Sequence, residues 1–317
     1  MKANEEKDGL NLMTLAQEYS DPDKARGLLE SLLWPDGAVC PHCQNHKEKP
    51  IYKLTPKATS KPGARKGVHK CGACRKQFTV TVGTIFEASH LPISKWLMAI
   101  FLICSSKKSI SALQLSRMLK ITYKAAWFIA HRLRFAVSPE MPLNELLQGV
   151  VEVDETFVGG KGVRCSQSRR KTPVVALIER GGKMQARVVS NVTQHNLGKI
   201  LNECVSKQAV VNTDELPAYR NPLKEWAGHS TVVHSRGEYS RTNADGSKSG
   251  INSCESFFSL LKRGVYGSWH HVSREHLPKY ANEFAFRWNT RKETDGERME
   301  SAIGMVTGKR LTYRQAI

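Results

Sequence analysis

The sequence predicts an α/β protein with two small modules ahead of its main domain, and three observations carry that expectation. From residue 150 onward, apolar runs of period two alternate with runs of helical period. Ahead of them stand two Cys-x-x-Cys pairs, Cys40/Cys43 and Cys71/Cys74, followed by two helical segments joined by a short turn. The third observation is charge: 48 Lys and Arg against 29 Asp and Glu leave +19 over 317 residues. Such an excess points to a polyanionic partner, nucleic acid first of all, because neutralising phosphates releases their counterions. The longest apolar run, residues 97–104, falls far short of the roughly 20 residues that span a bilayer. The first eight residues hold no apolar signal core. A cytoplasmic, nucleoid-associated protein with no membrane segment is therefore expected.

Residues 1–37 read as an N-terminal helical segment, with Asp21 as N-cap, Pro22 at the first helical position and Trp34-Pro-Asp-Gly37 as its end. Residues 38–90 read as a zinc ribbon. Cys40, Cys43, Cys71 and Cys74 supply four soft thiolates in two knuckles, and the Lys-, Pro- and Gly-rich interval between them suits an exposed hairpin whose core is the metal, Zn2+. His42, His46 and His69 lie near, but the cysteines already fill the shell. The remaining Cys104, Cys165, Cys204 and Cys254 are scattered, which speaks against a disulfide framework. Phe78-Thr-Val-Thr-Val-Gly-Thr84 alternates like the ribbon's last strand.

In residues 91–140, Trp96, Ile100 and Ile103 or Cys104 recur at helical spacing and belong to a core. Residues 109–134 then read as a helix, a turn at Lys120-Ile121, and a second helix capped by Thr122. This is the pattern of a helix-turn-helix that offers Tyr123, Lys124, His131 and Arg132 to DNA. The plainer alternative is a helical hairpin packing Leu113, Leu115, Leu119, Trp127 and Leu133.

Pro139 and Pro142 mark a linker into residues 145–292. There Val151, Val153 and Phe157 alternate along a buried strand that also carries Asp154. A buried carboxylate is costly unless a cation or a basic group meets it. A basic loop, residues 161–171, leads to two strands, 172–179 and 186–192, joined by Arg180-Gly-Gly-Lys183, a hairpin signal. A helix over about 196–205 is followed by a strand that ends on Asp214, a helix containing Tyr219 and Trp226, and a short strand over 231–235. A polar loop, 236–250, serves either to cover DNA or as a solvated connection. The next helix carries Asn252, Glu255, Lys262 and Arg263, and a last one over about 273–289 buries Leu277, Tyr280, Phe284 and Trp288. Residues 293–317 form a tail.

Acidic residues on the first strand, at the end of the fourth and on a late helix are the ribonuclease H-like arrangement, a mixed sheet flanked by helices. Its carboxylates hold two divalent ions about 3.5–4 Å apart. Hard oxygen ligands suit Mg2+ or Mn2+. Glu155 and Glu215 directly follow the two aspartates, and alternation turns them to the opposite face, which favours the aspartates as ligands.

The chain also resembles the bacterial insertion-sequence transposases of the ISXO-like group, in the DDE class, over roughly residues 20–292. Trp34-Pro-Asp-Gly, Cys40-Pro-His-Cys43, Val153-Asp-Glu-Thr-Phe-Val-Gly-Gly-Lys161, Thr213-Asp-Glu, Asn252-Ser-Cys-Glu255, Leu261-Lys-Arg-Gly-Val265 and Glu283-Phe-Ala-Phe-Arg-Trp-Asn289 carry the likeness. The resemblance implies Asp154, Asp214 and Glu255 as the catalytic triad and Lys262 as the basic residue beside the helix acid, with Arg263 next to it on the DNA. Asn252 is the alternative third ligand; otherwise it caps the helix. The implied activity is binding of the element's ends, metal-dependent cleavage and strand transfer on double-stranded end and target DNA, by a homo-oligomer. The rival is a catalytically silent DNA-binding regulator or domesticated derivative, to which three carboxylates facing phosphates would be of no use.

Overall fold

Asp21 is the N-cap its place in the sequence predicts: its Oδ1 accepts the backbone N–H groups of Asp23 and Lys24, both at 2.9 Å, and Pro22 opens the helix. The computed structural model describes residues 9–55, 66–139, 145–159, 171–238, 240–242, 246 and 248–316. They form two units, residues 1–137 with 293–317, and residues 138–292. Most of the basic loop 161–171, and part of the 139–144 linker, lie outside the described residues.

The first unit begins with α1 (Leu12–Gln17) and α2 (Pro22–Leu33) and continues into an antiparallel sheet of β1 (Ile51–Leu54), β2 (Val68–Cys71) and β3 (Gln77–Phe78), in that order. The strand expected over 78–84 stops at Phe78. The threonines beyond it bond locally instead: the hydroxyls of Thr79 and Thr81 meet at 2.8 Å, and Thr84 Oγ1 donates to the Thr81 carbonyl at 2.7 Å. Helix α3 (Ile93–Ser105) buries Trp96, Leu97, Ala99, Ile100, Phe101, Ile103 and Cys104, so it runs through the unit's core. Helices α4 (Ala112–Leu119) and α5 (Tyr123–Ala136) follow, capped by Ser111 and Thr122. Lys120, at φ 50°, makes the left-handed turn between them.

The second unit is built on β4 (Val150–Val158), β5 (Thr172–Glu179), β6 (Met184–Val188), α6 (Gln194–Cys204), β7 (Val210–Thr213), β8 (Gly228–Thr231), a hairpin of β9 (Ser240–Thr242) and β10 (Lys248–Gly250), α7 (Asn252–Gly264) and α8 (Leu277–Asn289). The five-stranded sheet has the order β6-β5-β4-β7-β8; β4 is antiparallel to β5, and β7 is parallel to both β4 and β8. Alternation divides the core. Val151, Val153, Val175 and Leu177 pack under α6, with Tyr219 and Trp226. Val158, Val174, Ala176 and Ile178 pack under α7 and α8. The segment around Tyr219 and Trp226 forms two short 3-10 turns rather than one helix, and β8 lies three residues ahead of the strand expected at 231–235. Proline at 217 and again at 222 breaks the helix, since each removes a donor and fixes φ. No helix among the described residues is long and apolar enough to cross a membrane.

The expected tail is part of the first unit. A helix, α9 (Asp295–Gly304), carries a complete capping box of Thr294 and Glu297 and buries Met299, Ala302 and Ile303. A Cβ on Gly296 would lie 2.5 Å from the Leu10 carbonyl oxygen, so only glycine permits this approach. Further on, Gly308 N–H donates to Gly83 O at 2.9 Å, Lys309 Nζ to Ala136 O at 2.6 Å, and the Leu311 carbonyl accepts Arg132 Nε at 3.1 Å. Ending the chain after Lys292 removes all of these partners. In native-state hydrogen exchange the truncated protein should lose protection throughout α3 while β4 and β5 keep theirs; retained α3 protection would show the tail to be dispensable.

Candidate active site and metal centre

Because β4 and β7 are parallel neighbours, residues beyond their shared ladder are delivered level with one another. The last pair is Glu152↔Asn212, and Asp154 and Asp214 are each the second residue beyond it. Asp154 still lies inside the β4–β5 ladder, opposite Ala176, whereas β7 stops at Thr213. The two aspartates thus sit at a notch in the sheet. Asp214 Oδ1 accepts the Leu216 N–H at 3.0 Å, which turns the chain there, and Asp154 Oδ1 accepts the Glu155 N–H at 2.8 Å.

Glu155 keeps the face that alternation gives it and still joins the acidic group. Its side chain leaves β4 on the side of Val151 and Val153, where the buried Tyr219 hydroxyl donates to Oε2 at 2.7 Å. Even so, carboxylate oxygens of Asp154, Glu155 and Asp214 all lie within 4.8 Å of one another. No β7 residue pairs beside Glu155, and its extra methylene lets it reach round the open strand end. Glu215 does turn away, accepting the Ser235 N–H at 3.1 Å.

The electrostatics are those of like charges held together. Burial, and after it the charges of Glu155, Asp214 and Glu255, push the Asp154 carboxyl up to about 7, against the hydrogen bond from Glu155 N–H. Burial and the charge of Asp214 also raise Glu155, with the Tyr219 hydrogen bond opposing. Burial, then the Glu155 charge, raises the Tyr219 phenol well above its usual range, so it stays a donor. A hard divalent cation suits this donor set, since it would relieve the repulsion that the oxygens now bear.

Glu255 lies in the first turn of α7, exposed, outside the group of three but near enough for its charge to act on Asp154. Asn252, the first residue of α7, is exposed and does not cap the helix: the N-cap position is Ile251, which has no side chain to do so. The capping acceptor is Glu152 on β4, whose Oε2 takes the Ser253 N–H at 2.8 Å. Lys262 is half-buried and Arg263 exposed in the last turn of the same helix.

The four ribbon cysteines fit a tetrahedral ion. Their sulfurs lie within 4.8 Å of one another, with Cys40 to Cys74 and Cys43 to Cys71 both at 3.7 Å. Zn–S bonds of about 2.3 Å would set the sulfurs about 3.8 Å apart. The two knuckles are alike: Gln44 N–H donates to Cys40 O and Arg75 N–H to Cys71 O, and Gln44 and Arg75 have φ of 60° and 63°. Among the described residues, Cys40, Cys71 and Phe78 form a small buried cluster with Trp34, Ile51, Cys74 and Val82 packed against it, and so small an apolar core fits a fold that depends on its metal.

Of the residues expected to face DNA, Tyr123 is 55% exposed and Lys124 is exposed, its ammonium 4.4 Å from the Tyr313 ring. His131 and Arg132 are a correction: both are buried. The His131 ring lies 4.0 Å from that of Trp127, and Arg132 donates to the carbonyls of Ile85 at 2.6 Å and Leu311 at 3.1 Å. Those partners come from 47 residues before and 179 after, and no local pattern announces them.

Two measurements follow. With a folded carboxyl titrating near 7 and an unfolded one near 3.9, the metal-free folded state binds the proton more tightly. The stability this lends is fully present below about pH 4 and is lost as pH rises through 7. Asp154→Asn should therefore raise Tm in EDTA by roughly 5 °C at pH 8 and not at pH 4; an equal shift at both would show that folding does not raise this carboxyl. Cys71→Ser should abolish zinc binding and open residues 38–84 to protease, and unchanged zinc content would exclude the site.

Comparison with known proteins agrees with this geometry. Residues 146–289 match an ISXO2-like transposase domain and residues 20–77 a transposase zinc-ribbon domain. An uncharacterized protein in transposable element ISH50 of Halobacterium salinarum is 28% identical over 301 residues, covering 88% of this chain and 95% of its own. The chain thus carries, in the order its motifs predict, the zinc-ribbon and transposase domains of the ISXO-like insertion-sequence transposases.

Proposed function

We propose that the protein is a DDE transposase with a ribonuclease H-like catalytic domain, which binds the ends of its insertion sequence and carries out metal-dependent strand cleavage and transfer. The observation that carries this reading is the grouping of Asp154, Glu155 and Asp214 within 4.8 Å at the open end of two parallel strands. Asp154 and Asp214 hold Mg2+ or Mn2+ there, with Glu255 as the third ligand from the helix and Glu155 kept in place by Tyr219. The ions, when bound, activate the attacking oxygen and stabilise the leaving one. Lys262 follows Glu255 by seven residues, about two turns, and so presents its ammonium on the same face, where it holds a phosphate next to the carboxylates. Arg263 adds a contact to the DNA backbone. Helices α4 and α5 serve as a helix-turn-helix that offers Tyr123 and Lys124 to the element's ends, and the protein works as a homo-oligomer on DNA at the nucleoid. A regulator that only bound DNA would gain nothing from this acidic notch, which repels phosphate unless cations fill it.

The test is a pair of substitutions, Glu255→Gln and Asn252→Ala, assayed for Mg2+-dependent cleavage and joining of end DNA, with folding and DNA binding measured separately. Removing the charge of a metal ligand should lower turnover by at least about 10³-fold in Glu255→Gln, and Asn252→Ala should cost little. The reverse order would make Asn252 the third ligand.

A further inference from the structure

Glu152 is 3% exposed, two residues before Asp154 on β4. A carboxylate so placed is costly unless every lone pair is met. Its Oε1 accepts Arg180 Nη2 at 2.8 Å and Nε at 3.1 Å, and its Oε2 accepts the Ser253 N–H at 2.8 Å. Arg180 stands in the turn after β5. Its remaining N–H groups donate to the carbonyls of Lys248 and Gly250 on β10, the strand that leads into α7. The Cys254 thiol closes the arrangement by donating to the Glu152 carbonyl at 3.4 Å.

Helix α7 has no side-chain cap of its own, so Glu152 supplies both the missing acceptor and the negative charge that a helix N-terminus favours. An ion pair with its carboxylate buried and its guanidinium partly exposed is poor evidence of net stability; the best-attested use of such a pair is to fix one register among several. What it registers here is specific. Glu152 belongs to the strand that presents Asp154 and holds the first turn of the helix that presents Glu255, and Arg180 reaches the strand that leads into that helix.

We propose that the Glu152–Arg180 pair, buried on its Glu152 side, is a positioning clamp for the phosphoryl-transfer site: by capping α7 from β4, it sets the separation of Glu255 from Asp154 and Asp214. Glu152 and Arg180 are positioning residues, since neither touches the reacting atoms. The inference rests on the reading of Glu255 as the third metal ligand.

A double-mutant cycle on the full-length protein tests it, with Mn2+ affinity read by electron paramagnetic resonance of free Mn2+ in the absence of DNA. Glu152→Ala should weaken Mn2+ binding about tenfold, the lower end for loss of a group that orients a ligand. In a Glu255→Gln background the same change should add nothing, because the clamp acts through Glu255. Arg180→Lys, which keeps the charge but loses the fork, should behave as a weaker Glu152→Ala. Glu152→Gln keeps the volume and an acceptor for Ser253 N–H, and replaces Glu152→Ala if that variant does not fold; the same non-additivity is expected at smaller size. A loss that persists undiminished beside Glu255→Gln, or no loss at all, overturns the clamp and leaves the metal site standing. Wild-type Mn2+ affinity in Glu255→Gln itself overturns the reading of Glu255, and the clamp with it.

Discussion

Like charges crowded at one strand end are the constraint on which the second unit depends. Within four consecutive positions β4 carries Glu152, Asp154 and Glu155, and Asp214 arrives from the neighbouring strand. A sheet interior does not tolerate such a load unless each charge is dealt with separately. Glu152 is neutralised by Arg180 and the α7 terminus, Glu155 is hydrogen-bonded by Tyr219, and Asp154 is left partly protonated near neutral pH. The apolar layers on both faces of the sheet hold that arrangement in place at some cost in stability.

The first unit meets a different shortage. Among the described residues its ribbon holds one aromatic ring and two cysteines in its buried cluster, so four thiols in paired, near-identical turns take over the role of a core. The rest of the unit is organised by α3, whose buried faces receive packing from both ends of the chain.

What was legible in the sequence is what depends on neighbours. Asp21 with Pro22, Thr122 after the Lys120 turn, the four cysteines, and two aspartates at the ends of apolar runs are all local signals, and each has the placement its signal implies. What the sequence did not show has one cause. Asn252 is a good cap by type, but Glu152, 101 residues before the Ser253 N–H it accepts, occupies that role. Arg132 has the charge to bind phosphate, but carbonyls of residues 85 and 311 claim it. Alternation sends Glu155 to the side of Tyr219, yet it cannot report that β7 ends at Thr213 and leaves the edge open. In each case the deciding partner is distant in sequence.

The first unit is also discontinuous: residues 293–317 complete what residues 1–137 begin. During synthesis, domains generally fold from the N-terminus as they emerge. Here that order is inverted. All of residues 138–292 are available to fold while the earlier unit still lacks Met299, Ala302 and Ile303 for its core. A chain ended just after residue 292 would therefore hold every residue of the acidic unit while the ribbon-bearing unit still lacked the helix that closes its core.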